Sequence, residues 1–234
     1  SEGGQVTIDV TDNDVDVDGQ IDDTSIDVTS NPINGGLVDN DNGTITYTHD
    51  GSETLSDSFD YRVKDDDGAY SNIVTVSISI TEVNDSPTAN NDSSSVDEGS
   101  STTIDLTNND SDIDGTIDDT TIDITTQPHY GSIVDNDDGT VTYTHDGSET
   151  LSDSFAYRVK DNDSAYSNIA TVTIDITEVN DNPVAQDDSG SLSEGASTTI
   201  DLTNNDSDID GTINDTTIDI TDAPDNGILI DNKD

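Results

Sequence analysis

The chain has 234 residues, 54 acidic and 5 basic, for a formal net charge of -49 with 28% hydrophobic residues. A surface this negative excludes nucleic acid and anionic membrane faces as partners, because their approach costs Coulomb energy with little basic surface to offset it, and it makes cations the expected company. With no cysteine there are no disulfides or thiolate metal sites, so oxygen is the plentiful ligand; no apolar run reaches transmembrane length and no signal-peptide core is present.

Leu, Ile, Val and Phe make up about a fifth of the chain, near the level at which a highly charged sequence stays disordered. Internal repetition decides for folding. SSVDEGSSTTIDLTNNDSDIDGT, Ser94 to Thr116, recurs almost unchanged at Gly190 to Thr212, and Glu2, Glu98 and Glu194 stand 96 residues apart. A unit of that length is a small domain with its own modest core. The expected units are residues 1–85 with an incomplete first strand, a complete 86–181, and a partial 182–234. The spacing equally allows a leading part followed by two permuted units. The chain begins mid-pattern and reads as an excised piece of something longer. The third copy stops at Asp234, the counterpart of Asp138, and has no counterparts of Gly139 to Val179.

Within a unit the apolar positions alternate, as in Phe155-Ala-Tyr157-Arg-Val159 and Val172-Thr-Ile174-Asp-Ile176, so one face is buried and the other polar. β-branched residues dominate these runs, and Gly, Asn and Asp break them. In chain order the second unit predicts strands near 89–96, 102–107, 120–126, 131–135, 140–145, 154–160 and 168–178. The fold class this spacing fits is all-β: tandem Ig-like Greek-key β-sandwiches. Phe59, Tyr61, Phe155 and Tyr157 fall on the buried face of the sixth strand. Asp105, Asp123 and Asp175 fall on solvated faces or protect edges. His49 and His145 end a strand beside Asp, and with no converging ligands they read as structural or exposed rather than metal-binding.

The loop after the second strand carries Asp110-Ser-Asp112-Ile-Asp114-Gly115, repeated with Asp14, Asp16 and Asp18 before Gly19 and with Asp206, Asp208 and Asp210 before Gly211. Alternate side-chain oxygens closed by a turn-forming Gly match the opening half of a calcium loop. The twelfth position is Thr121 rather than Glu, and strands flank the loop, so an EF-hand is rejected. In a seven-strand sandwich this loop and Asp161 lie at the end where the chain enters. Glu2 and Asp50-Gly-Ser-Glu53 lie at the other. Stacked end to end, two units would gather Glu2, Asp50, Glu53, the linker residues Glu82, Asn84 and Asp85, and Asp110 to Asp114 with Asp161. Such a cluster repels itself, and calcium would turn the repulsion into cohesion.

Taken together, VDEGS, DSDIDG, HDGSE, YRVKDND and EVNDNP resemble, in order, the motifs of cadherin repeats, in particular the cadherin-like tandem repeats of large bacterial and archaeal surface adhesins. The resemblance covers the second repeat along its length. It implies Ca²⁺ held between successive domains by Glu82, Asn84 and Asp85, and by Glu178, Asn180 and Asp181. The matching positions Glu98, Asp146, Glu149, Asp65 and Glu194 take the corresponding roles in their own copies. Gly and Ser replace the middle Arg between Asp50 and Glu53, Glu82 replaces the usual Asp, and Ser86 replaces the last linker Asn, which leaves the number of ions per junction open.

The leading expectation is an extracellular, cell-surface adhesin extender, a stiff calcium-linked rod that is not an enzyme. Its partners are calcium ions and neighbouring repeats of the same chain. A glycosidase reading fails for want of aromatic residues to line a sugar cleft. The alternatives are a calcium-dependent carbohydrate- or protein-binding module, and a salt-adapted surface-layer protein without specific metal sites.

Overall fold

The computed structural model describes residues 1–232 as strands and turns with one 3-10 turn at Asp215–Thr217 and, among the described residues, no α-helix. The last two residues of the expected third unit lie outside the described residues. The chain divides into two compact units that do not follow the repeat boundaries. The first comprises Ser1–Thr88, Asp110–Asp118 and Lys160–Ser167; the second comprises Ala89–Asn109, Asp119–Val159 and the residues from Asn168 onward.

The first unit holds β1 (Gln5–Asp9), β2 (Ile21–Ser30), β3 (Gly35–Asp39), β4 (Thr44–His49), β5 (Ser56–Asp65) and β6 (Val74–Ser79). They form two antiparallel sheets, ordered β1-β4-β3 and β2-β5-β6. The period-two pattern sends Ile45 and Tyr47 from one sheet and Phe59, Tyr61 and Val63 from the other into one core.

The second unit holds β7 (Asp92–Asp97), β8 (Ser101–Asp105), β10 (Gly131–Asp135), β11 (Thr140–His145), β13 (Ala170–Thr177) and most of β9 (Ile117–Thr126) and β12 (Ser152–Asp161). One sheet is ordered β10-β11-β8 and the other β7-β13-β12-β9, so the chain crosses between sheets at every step except the hairpins β10-β11 and β12-β13, as in a Greek-key sandwich. β7 runs parallel to β13, while β12 pairs with β13 in the antiparallel sense. Val141, Tyr143, Phe155, Tyr157, Val172 and Ile174 fill the core. All seven strands expected in the second repeat form, the first beginning three residues later and the third three residues earlier than expected, with smaller shifts at other ends.

Two polar arrangements shape the sandwiches. Asp153 is buried, and its Oδ1 accepts from the amides of His129 (3.0 Å) and Ser154 (2.8 Å), its Oδ2 from the Tyr130 amide and the Tyr143 hydroxyl, both at 2.9 Å. Asp57 repeats this with Ile33, Asn34, Ser58 and Tyr47. Asp123 lies on a solvated outer face as expected, and there Arg158 pairs with it at 2.8 Å across neighbouring strands. Arg62 and Asp27 pair likewise.

Residues 182–232 contain no strand among the described residues, only an isolated bridge between Val184 and Ser207 and the 3-10 turn. The physical reason lies in the pairing of the second repeat. There β8 bonds to β11 and β7 to β13, and the given sequence has no counterpart of β11 to β13 for the third copy. Its apolar residues Leu192, Ile200 and Ile220 remain exposed.

Candidate metal centre

In the first unit, the linker after β6 is tied to the acidic loop by a two-bond bridge, Thr88 N–H to Ser111 O at 2.7 Å and Ser111 N–H to Thr88 O at 3.0 Å. The same linker is tied to the start of the chain, since the Glu2 amide donates to Thr81 O at 3.0 Å and the Val83 amide to Glu2 Oε2 at 3.1 Å. The Asp85 amide donates to Asp114 Oδ2 at 3.0 Å. Single bonds thus fix the carboxylates of Glu2 and Asp114 on the linker and leave each a second oxygen, while the Thr88–Ser111 bridge holds the backbone next to Asp112.

What they leave over is the decisive observation. Five carboxylate oxygens here are buried with no hydrogen-bond partner: Glu2 Oε1, Glu53 Oε2, both oxygens of Asp112, and Asp114 Oδ1. A buried oxygen of this kind normally carries a donor, and a buried charge a counter-charge. Burial first, then the neighbouring carboxyls of Glu2, Asp85 and Asp114, push Glu53 up to about 7. Burial followed by Asp114 likewise raises Asp112. Asp161 goes the other way, because the Asn84 amide donates to its Oδ2 at 3.0 Å and outweighs its burial.

The second unit repeats the arrangement. The Val179 amide donates to Glu98 Oε2 at 3.3 Å, the Asp181 amide to Asp210 Oδ2 at 2.9 Å, and Val184 bridges to Ser207. Single oxygens of Glu98, Glu149 and Asp181 lie within 4.8 Å of one another. Asp208 Oδ1 and Asp210 Oδ1 are buried without a partner. Burial, then the charges of Glu98, Asp210, Asp181 and Glu178, raise Glu149. The Asp181 amide, by contrast, holds Asp210 low. Leu151 and Ile209 flank the pocket lined by Glu98, Glu149, Glu178 and Asp210.

Other sequence-derived candidates sit elsewhere or are occupied. Asp14 Oδ2 accepts from the Tyr61 hydroxyl at 3.0 Å, Asp65 Oδ1 from the Ala69 amide at 2.8 Å, and Asp18 is exposed. Asp50 and Asp146 close their own turns by accepting from Ser52 and Ser148, whose hydroxyls and amides hold both carboxyls low. Asn84 and Asn180 donate to the carbonyls of Asp85 and Asp181. Asp206 Oδ1 accepts from Gln186 at 2.8 Å. Asp110 is half-buried at the start of its loop, Asp16 faces Gly19, and Glu82 and Glu194 are exposed; Glu178, though exposed, lines the pocket of the second unit.

The loop glycine sits in a bend, as expected, and also keeps room beside a carboxylate. Gly115 lies outside the left-handed region. A Cβ there would fall 2.6 Å from Asn162 Oδ1 and 2.7 Å from Asp112 Oδ2, so the residue keeps space beside the carboxylate.

The donor set is oxygen throughout, carboxylate-rich, and short of hydrogen-bond donors, which fits a hard divalent cation. Among the described residues no helix is long and apolar enough to cross a membrane. The family model of the bacterial cadherin-like domain matches residues 1–82 and 84–178. No curated protein matches the chain. Among solved structures, the chain is similar to Drosophila N-cadherin EC1-4 at 14% identity over 68% of this chain and 42% of that one, TM-score 0.44. It is similar to the endo-fucoidan hydrolase MfFcnA4 from glycoside hydrolase family 107 at 18% identity over 66% of this chain, TM-score 0.30, and spans only 23% of that chain. It also resembles the fibronectin(III)-like modules of Clostridium thermocellum CbhA at 13% identity, 76% of this chain and 87% of that one, TM-score 0.28.

Proposed function

Because the chain belongs to the bacterial cadherin-like domain family, we propose that it is a set of calcium-stabilised extender repeats of an extracellular, cell-surface adhesin. On this reading it forms a stiff rod that projects a distal binding module, and its role is mechanical rather than catalytic. The observation that carries the proposal is the group of five buried, unpartnered oxygens on Glu2, Glu53, Asp112 and Asp114.

Bound Ca²⁺ supplies a hard positive centre that satisfies several carboxylates at once. The chain's own residues do the rest. Glu2, Glu53, Asp112 and Asp114 would hold the ion in the first unit. Glu98, Glu149, Asp181, Asp208 and Asp210 would hold it in the second. The amides of Val83, Asp85, Val179 and Asp181 orient one oxygen of a carboxylate and leave the other for the ion. An ion that binds only the folded arrangement stabilises it by about 2.7 kcal/mol per site at a hundred times Kd.

The test is thermal unfolding and small-angle scattering of the full chain in Ca²⁺ and in chelator. Chelation is expected to lower the melting temperature and shorten the maximum dimension. Identical melting curves and identical scattering in both conditions would overturn the proposal. Stabilisation by molar Na⁺ equal to that by millimolar Ca²⁺ would replace it with general salt adaptation.

A further inference from the structure

His49 and His145, set aside by their sequence context as structural or exposed, are buried, at 4% and 2% exposure. In the first unit the His49 Nδ1 accepts from the Gly3 amide at 3.2 Å and from the Gly51 amide at 3.3 Å. A ring nitrogen that accepts from two N–H groups carries no proton, so the ring proton is on Nε2 and is donated to Thr54 Oγ1 at 2.9 Å. The His49 amide also donates to Gly4 O at 2.9 Å.

The partners are significant for what they adjoin. Gly3 follows Glu2 directly, and Gly51 and Thr54 flank Glu53. One buried ring thus joins the two loops that carry the two glutamates. Gly3 and Gly51 both have positive φ, 58° and 86°, the left-handed backbone that lets their amides meet at one nitrogen. The second unit repeats every contact: His145 Nδ1 accepts from Gly99 at 3.1 Å and Gly147 at 3.3 Å, Nε2 meets Thr150 Oγ1 at 3.1 Å, and the flanked residues are Glu98 and Glu149. Asp50 and Asp146, the nearest carboxylates, face Nε2 at 3.9 and 3.8 Å but are already committed to Ser52 and Ser148.

We propose that His49 and His145 are positioning residues, each clamping the two glutamate-bearing loops of its unit so that Glu2 with Glu53, and Glu98 with Glu149, present oxygens to a single divalent cation. This rests on the calcium reading above. Groups that orient metal ligands typically contribute about 10- to 100-fold to metal affinity.

The experiment is calorimetric titration of the full chain with Ca²⁺, using His49→Ala, His145→Ala and His49→Asn, together with apo melting curves. His49→Ala is expected to weaken one class of site about tenfold or more and leave the other unchanged, and His145→Ala to do the reverse. An Asn Oδ1 stands where the ring Nδ1 stands, so His49→Asn keeps the acceptor for both glycine amides and is expected to stay within about threefold of wild type. A role in folding alone would instead lower the apo melting temperature and weaken both classes together, or leave affinity intact; either result overturns the clamp. If His49→Ala fails to fold, the two classes resolved by His49→Asn against His145→Ala decide the question. Absence of any Ca²⁺ binding to wild type would overturn the calcium reading itself, whereas binding that is indifferent to all three substitutions overturns only the clamp.

Discussion

Asp153 and Asp112 are both withdrawn from solvent in some measure, yet the protein treats them in opposite ways. Asp153, inside the second sandwich, receives three amides and a tyrosine hydroxyl. These donors outweigh burial and hold its carboxyl below the usual range. Asp112, in an acidic loop, has both oxygens buried without a donor, and burial with Asp114 raises it. The fold can satisfy a buried carboxylate from its own backbone where it needs to. Where it does not, the oxygens are left for something that is not protein.

The largest effect should come from Asp153→Ala, which leaves three amides and the Tyr143 hydroxyl without their acceptor and should cost roughly 3 kcal/mol. Urea unfolding should give the same loss in Ca²⁺ and in chelator; a loss seen only in Ca²⁺ would dissolve the contrast between the two residues. Asp112→Asn is the sharper probe because its sign should invert. In chelator the substitution removes a repulsion of about 1 kcal/mol for a neighbouring pair in a water-like dielectric and should stabilise. In Ca²⁺ it removes a ligand charge and should destabilise. The same sign in both conditions would count against a shared ion.

The smallest effect is the pH slope. Glu53 is raised when folded, to about 7, so the folded state binds more protons than the unfolded one between the ordinary carboxylate range and pH 7. Stability in chelator should therefore fall as pH rises from about 4.5 toward 7. Asp153 is depressed when folded, so its contribution is present above the ordinary range and is lost only as pH falls through its lower folded value. Melting temperatures measured from pH 5 to 7.5 should decline in chelator and flatten in Ca²⁺. A rising profile in chelator would mean that the Glu53 carboxyl is not held among its neighbours as described.

Much of this was legible in the sequence because it repeats and alternates. The period-two runs placed Phe155, Tyr157 and Val172 in the core, and the 96-residue offset of Glu2, Glu98 and Glu194 announced the unit. The stacking argument picked out Glu2, Glu53, Asp112 and Asp114 from residue order alone. It could not rank carboxylates within one motif. Asp50 and Glu53 share a turn, but only geometry shows Asp50 spent on Ser52. Asp123 reads correctly as a solvated strand residue, but its Arg158 partner across the sheet is set by register rather than by any local pattern. The histidines were readable in principle, since HDGSET occurs twice with the same Thr five residues on. Their second partner, a glycine 46 residues away, is a tertiary fact.

The parallel pairing of β7 with β13 has a mechanical consequence. β7 is the first strand of its sandwich and β13 the last, and they share six register pairs, from Val172 with Asp92 to Thr177 with Asp97. A chain pulled from both sides draws these two strands along each other in opposite directions. The load then falls on the whole ladder in shear, and its bonds must break together instead of one after another as in an unzipping hairpin. Rupture under tension is governed by the barrier to unfolding rather than by equilibrium stability, so a domain with a sparse core can still be hard to pull apart.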